Sequence, residues 1–105
     1  MTWAEAKLKI QREVSENTNL DTQRSNYRRV THVSADGFRV KIGRASEIEV
    51  PWEMIRLCWE QLIKTGEYGG KTFRVMFPET AYLHGCYVHV IGQILVRAGI
   101  VLCSG

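Results

Sequence analysis

The first apolar residues of the chain recur at the spacing of a helix. Four of them share one helical face: Trp3, Ala6, Ile10 and Val14. Thr2 and Glu5 have the spacing of a capping box, in which the Thr2 hydroxyl accepts from an amide one turn into the helix and the Glu5 carboxylate accepts from the Thr2 amide. The pattern predicts a helix that begins at Thr2 and ends in the polar residues 15–19. Residues 17–26 are polar and are predicted to form a connecting loop.

From residue 27 the apolar period changes to two, on both sides of Asp36-Gly37, a dipeptide typical of tight hairpin turns. The predicted pairs are Ala35 with Phe38, Val33 with Val40 and Thr31 with Ile42, and these six residues form the predicted apolar face. The opposite face then carries Arg28, Val30, His32, Ser34, Arg39 and Lys41. Residues 47–50 alternate again before Pro51, which predicts a third strand that runs into a helix.

The C-terminal half is predicted to be helical. Apolar residues recur at helical spacing over 51–64, with Gly66 as a left-handed C-cap, and a second, mostly apolar helix covers 85–98. A short helix is predicted over 71–77, where Pro78 ends it, and a loop follows to about His84. Residues 100–103 are a candidate final strand. The chain, 1–105, is therefore predicted to be one α+β domain with an N-terminal helix, a three-stranded antiparallel β-meander, and two longer helices and one short one.

Composition indicates an ordinary globular protein, because 45% of the residues are hydrophobic, 24% are charged and only two are prolines. No apolar run approaches the length of about 20 residues that a membrane span needs. Residues 1–12 alternate charged and apolar side chains, unlike a signal peptide, so we expect a cytoplasmic location and no membrane partner. The three cysteines include no CxxC pair and are predicted to be free, buried thiols.

The net charge of +3 is unevenly distributed along the chain. Residues 24–44 contain six arginines and lysines but a single acidic residue, Asp36. A two-stranded ribbon with this charge can lie along a phosphate backbone. The candidate nucleic-acid-binding residues are Arg28, His32, Arg39, Lys41 and Arg44. In the alternative interpretation, Glu47 and Glu49 of the third strand lie beside Arg39 and Lys41, and the charges form a solvated cross-strand ladder.

Two sequence motifs resemble known binding elements but are incomplete. Gly70-Lys71-Thr72 has the end of a phosphate-binding loop, yet that motif requires a glycine at position 65, where this chain has Thr65. The three C-terminal helices have the order of a helix-turn-helix unit. Arg97 is the single arginine or lysine within 85–98, however, whereas groove-reading helices normally carry several such side chains.

His84, Cys86 and His89 are the residues most suited to site chemistry. Zinc sites usually take ligand pairs from two separate segments, and only one such pair occurs here, so we expect no metal and no cofactor. Cys86 lies near the predicted start of its helix, where the helix dipole lowers the pKa of an exposed thiol. A Cys86-dependent enzyme is accordingly a third functional hypothesis, and no catalytic residue is assigned.

The aromatic content is large for so short a chain, with three tryptophans, four tyrosines and three phenylalanines. Aromatic side chains beyond what one small core holds indicate an interface, and a homodimer is the commonest way to cover one. The candidate interface residues are Phe73, Met76, Phe77 and Tyr82. The leading hypothesis is thus a noncatalytic binding module that contacts nucleic acid through the basic hairpin, and the rival is a self-associating or protein-interaction domain.

Overall fold

A computed structural model describes residues 1–20, 28–43 and 46–100. The elements in chain order are α1 (Trp3–Glu13), β1 (Arg29–Val33), β2 (Gly37–Lys41), β3 (Glu47–Pro51), α2 (Trp52–Thr65), α3 (Gly70–Met76), α4 (Pro78–Leu83) and α5 (Cys86–Arg97). The predicted α+β class, with a helix, a meander and a helical half, is confirmed. Within the described ranges, no helix is long and apolar enough to cross a membrane.

Helix α1 begins with the predicted capping box. The Glu5 amide donates to the Thr2 hydroxyl at 3.2 Å, and the Thr2 amide donates to the Glu5 carboxylate at 3.0 Å. These bonds satisfy amides that have no partner inside the helix. Ala6 and Ile10 are fully buried, as the apolar spacing predicts, and α1 contacts both α2 and α5.

The three strands form an antiparallel sheet in the order β1-β2-β3. The free edge of β1 is covered by residues 17–20, because the Asn17 amide donates to the Val30 carbonyl and the Val30 amide donates to the Thr18 carbonyl. The inner face of the sheet lies against the helices. Its buried residues join those of α5 and Phe73 in one core, which includes Val30, Val40, Val50, Val90, Ile91, Ile94 and Leu95.

The predicted register of the hairpin is wrong. Ser34 and Gly37 exchange backbone hydrogen bonds, so Ala35 and Asp36 form the turn and Val33 pairs with Phe38. A bulge follows between Val30 and His32. It changes the alternation along β1, so that Val30, predicted on the outer face, is fully buried opposite Val40. Ala35, predicted on the apolar face, lies in the turn and is exposed.

The C-terminal half contains one helix that the sequence pattern does not predict. Pro78 begins α4 instead of merely ending α3, because proline at the first helical position loses no intrahelical hydrogen bond. Residues 78–83, predicted as a loop, are thus helical. Gly66 is the left-handed C-cap of α2, as predicted, with φ of 79°. Residues 101–103 of the candidate final strand lie outside the described part of the chain.

Candidate nucleic-acid interface

The outer face of the sheet carries two cross-strand rows of charged side chains. Residues that are directly opposite in an antiparallel pair point to the same face, and successive residues of a strand alternate between faces. Because Val40 and Ile48 are buried, their neighbours along β2 and β3 point outward. The first row is Arg29, Lys41 and Glu47, and the second row is His32, Arg39 and Glu49.

Arg39, in the centre of the second row, is paired with both glutamates of β3. Its Nη2 donates to Glu49 Oε1 at 2.8 Å, and its Nε lies 3.7 Å from Glu47 Oε2. The hydrogen bond to Glu49 raises the pKa of the guanidinium, and the charge of Glu47 adds to the effect. The Glu49 carbonyl in turn accepts from the Tyr87 hydroxyl at 2.8 Å, which attaches the edge strand to α5. Arg39 therefore forms the cross-strand ion pairs that the alternative interpretation of the sequence predicts.

His32 lies at the end of the second row and is also close to a carboxylate. Its Nδ1 is 3.6 Å from Oε1 of Glu16, and Glu16 lies just beyond the end of α1. Both side chains are more than half exposed, so solvent ions screen this contact. His32 and Arg39, two of the predicted nucleic-acid-binding residues, thus already face carboxylates of the same chain.

Three other cations form what we call the basic end of the sheet: Arg28, Arg29 and Lys41. They lie where β1 begins and β2 ends, and all three are partly exposed. Arg29 and Lys41 are cross-strand partners, so their Cα atoms are about 5 Å apart. Among the described residues, none of the three has a carboxylate within 4.0 Å. Arg29 was not singled out from the sequence, although its position next to Arg28 in the basic segment is a signal for it.

The Arg29 side chain also has an unsatisfied donor. Its Nε is shielded from solvent and has no hydrogen-bond partner among the described residues. A buried donor without an acceptor costs about 1–3 kcal/mol. Of the predicted nucleic-acid-binding residues, Arg28 and Lys41 lie at the basic end, and His32 and Arg39 lie in the row beside it. Arg44 lies outside the described residues.

A cavity of about 330 Å³ opens at the other end of the sheet, beside the turn. Its polar lining residues are His32, Ser34, Asp36, Arg39 and Glu49. Both signs of charge meet there, and the arginine is already paired. Across the described ranges, no three His, Cys, Asp or Glu side chains are grouped closely enough to hold a metal ion.

The predicted interface residues separate into core and surface. Phe73 is fully buried, which removes it from any surface, because its ring packs against Phe77 and the core. Met76 and Phe77 are half-buried against the same core, whereas Tyr82 is 88% exposed. Val75 is 78% exposed and was not predicted. Val75 lies about 200° of helical rotation from Phe73, so assigning Phe73 to the core would have placed Val75 on the surface.

The two described cysteines are free and differ in exposure. Cys58 is fully buried on α2, and burial raises the pKa of its thiol to about 12. Cys86 is half-buried at the beginning of α5. The ring centroids of His84 and Tyr87 are 6.2 Å apart. Among the described residues, no side chain forms a hydrogen bond to the Cys86 sulfur, so no base is placed to activate the thiol.

Comparisons with protein-family models, curated proteins and solved structures give no significant match to this chain.

Proposed function

We propose that this protein is a noncatalytic binding module that contacts the phosphate backbone of nucleic acid through the basic end of its sheet. One observation supports this function above the others. Arg29 and Lys41 are cross-strand neighbours on an outward face, and within the described part of the chain neither has an acidic partner. Surface cations that no neighbouring carboxylate neutralises can replace the counterions of a polyanion.

The expected binding is weak and strongly dependent on salt. Each phosphate that a cation neutralises contributes about 0.9 to the slope of log affinity against log salt on duplex DNA. Three contacts, from Arg28, Arg29 and Lys41, give a slope of about 2.7. Phosphate contacts carry no direct information on base sequence, so we expect no preference among mixed sequences. Arg39 contributes little, because Glu47 and Glu49 already neutralise its charge.

The test compares two double variants with the same change of charge and residue type. R29Q/K41Q removes the cross-strand pair, and R74Q/K64Q removes an exposed arginine and lysine from α3 and α2. Fluorescence anisotropy with a labelled mixed-sequence duplex, across a salt series, gives affinity and slope. We expect the slope to fall by about 1.8 in R29Q/K41Q and to stay unchanged in R74Q/K64Q. Equal losses in the two variants, or no binding by the wild-type protein at low salt, would refute the proposal.

Exposed apolar side chains on α3 and α4 favour a second candidate function, association with another copy of this chain. Val75, Tyr82 and Leu83 are 78%, 88% and 66% exposed. Tyrosine is enriched in the cores of protein interfaces, and two-fold homodimers are the commonest assemblies.

Light scattering over a concentration series tests the second candidate, because a dimer has twice the chain mass of 12.0 kDa. Y82S/L83S should shift the protein to monomer. The control L8S/I63S, which removes apolar side chains that are 52% and 56% exposed on α1 and α2, should not. A wild-type protein that stays monomeric at every concentration excludes this function.

A further inference from the structure

Arg39 lies beside the basic end, but its charge is already paired with glutamates of the neighbouring strand. It is two residues from Lys41 on β2 and points to the same face, so the two Cα atoms are about 7 Å apart. Phosphates along one nucleic-acid strand are separated by a similar distance, which would make Arg39 a natural next contact. Its Nη2 and Nε instead face Glu49 and Glu47, whose carboxylate oxygens occupy the positions that phosphate oxygens would take.

We infer that Glu47 and Glu49 are specificity-determining residues that compete internally with phosphate for Arg39 and thereby confine a bound backbone to the basic end of the sheet. The inference rests on the proposed function and names the residues that limit its site. The backbone of Glu49 is held next to Arg39, because the Tyr87 hydroxyl bonds to the Glu49 carbonyl and Glu49 is opposite Arg39 in the β2–β3 register.

The distribution of charge along the sheet also sets the direction of the bound backbone. Toward the turn, a polyanion lying along the strands would meet Glu49, then Asp36, and Glu16 beside His32. The Debye length is about 8 Å at physiological ionic strength, comparable to the spacing of the two rows, so this repulsion reaches the basic end. A duplex that crosses β1 and β2 at the basic end avoids these three carboxylates, and the one acidic residue in the row that it would follow is Glu47, opposite Lys41 on β3.

Removing the competitor should therefore strengthen binding. E47Q/E49Q preserves the size of both side chains and leaves Arg39 free to contact one further phosphate. One added contact steepens the salt slope by about 0.9. If that contact contributes nothing at 1 M salt, the same slope raises affinity about 15-fold at 50 mM salt and about 5-fold at 150 mM.

Helix α2 offers a matched control for this gain of affinity. Glu53 and Glu60 flank Arg56 at 2.6 and 3.7 Å, nearly the distances at which Glu49 and Glu47 flank Arg39. E53Q/E60Q thus makes the same change in net charge and also frees an arginine, but on a helix instead of the outer face of the sheet. Circular dichroism and the urea midpoint of each variant establish that it is folded before its affinity is compared.

The experiment measures anisotropy of a labelled mixed-sequence duplex with wild type, E47Q/E49Q, E53Q/E60Q and the triple variant R39Q/E47Q/E49Q. We expect a gain in E47Q/E49Q well above that of E53Q/E60Q, and its loss in the triple variant. Equal gains in the two double variants would show an effect of net charge alone and overturn the inference. A gain that survives R39Q would overturn it as well, because Arg39 would then not be the released contact.

The inference and the proposed function fail in distinguishable ways. If wild type binds duplex and E47Q/E49Q binds no better, the inference is wrong and the proposed function stands. If E47Q/E49Q binds and wild type does not, the internal competition is real and complete, and the wild-type protein lacks the proposed function. If neither protein binds at low salt, both are wrong.

Discussion

Gly37, the first residue of β2, lies where a side chain would collide with the backbone of β3. A Cβ atom built on Gly37 would lie 2.1 Å from the Val50 carbonyl oxygen and 2.8 Å from Pro51 Cα. Both atoms belong to the backbone of β3, so no side-chain rotation relieves the clash. Gly37 also has φ of 149°, a conformation that residues with a side chain rarely adopt. Substitution of Gly37 by alanine should therefore separate β3 from β2.

The cost of G37A can be estimated from these contacts. Strain at an unfavourable φ amounts to about 1–3 kcal/mol. Moving β3 away weakens about two backbone hydrogen bonds near the turn, including the one from the Trp52 amide to the Asp36 carbonyl, at about 1 kcal/mol each. The sum is about 3–5 kcal/mol, a large part of the 5–15 kcal/mol by which small domains are stable.

Urea unfolding, followed by circular dichroism, measures this cost against two other glycines. With an m value of about 1.5 kcal/mol/M, G37A should lower the midpoint by about 2–3 M. Gly66 has φ of 79° but open space at its Cβ position, so G66A isolates the cost of a positive φ, about 1–2 kcal/mol. Gly43 has open space and no positive φ, and G43A should change stability by less than about 1 kcal/mol. A midpoint for G37A equal to that of G66A would refute the close approach.

Two further predictions concern the first helix and the cysteines. T2A should destabilise the protein by about 1 kcal/mol in urea unfolding, because the cap of α1 is lost. Hydrogen bonds from Thr2 lower the pKa of Glu5 below 4.5, so the Glu5 contribution is present above pH 4.5 and is lost as the pH falls through the lowered pKa. T2A keeps the backbone amide that bonds to the Glu5 carboxylate and loses the hydroxyl bond at 3.1 Å. The difference between T2A and wild type should therefore shrink in acid by the part due to that hydroxyl bond, and a difference that grows in acid would contradict the capping box. A thiol reagent at about pH 8 should modify Cys86 in the native protein. It should reach Cys58 only after denaturation, because Cys58 is buried and its pKa is raised to about 12. Peptide mass mapping distinguishes the two sites.

Signals that act within one turn of chain were sufficient to predict several elements. The capping box at Thr2 and the left-handed Gly66 are local, since each involves hydrogen bonds or dihedral angles of neighbouring residues. The meander was predicted for a similar reason, because alternation around Asp36-Gly37 and over 47–50 does not depend on the rest of the fold. The basic segment was visible from the order of the charged residues along the chain.

The register of the hairpin was decided by tertiary packing. Asp36-Gly37 predicts a turn at these two residues. In the structure Gly37 is instead the first residue of β2, beside the Val50 carbonyl, and the turn lies one residue earlier, at Ala35 and Asp36. The bulge beyond His32 then lets Val30 and Val33 both contact the core. A bulge adds one unpaired residue without a composition of its own, so alternation along one strand does not reveal it.

On the outer face of the sheet, too, the sequence determined one part of the arrangement and the tertiary structure decided the other. The sequence by itself determined that cations and glutamates occur on neighbouring strands, and it left open whether Glu47 and Glu49 neutralise the hairpin. The three-dimensional register decided that Arg39 is paired, while Arg29 and Lys41 have no acidic partner among the described residues. Which charges pair depends on separations of a few ångströms between residues about ten positions apart, and that distance is set by the packing of the strands, not by their order in the chain.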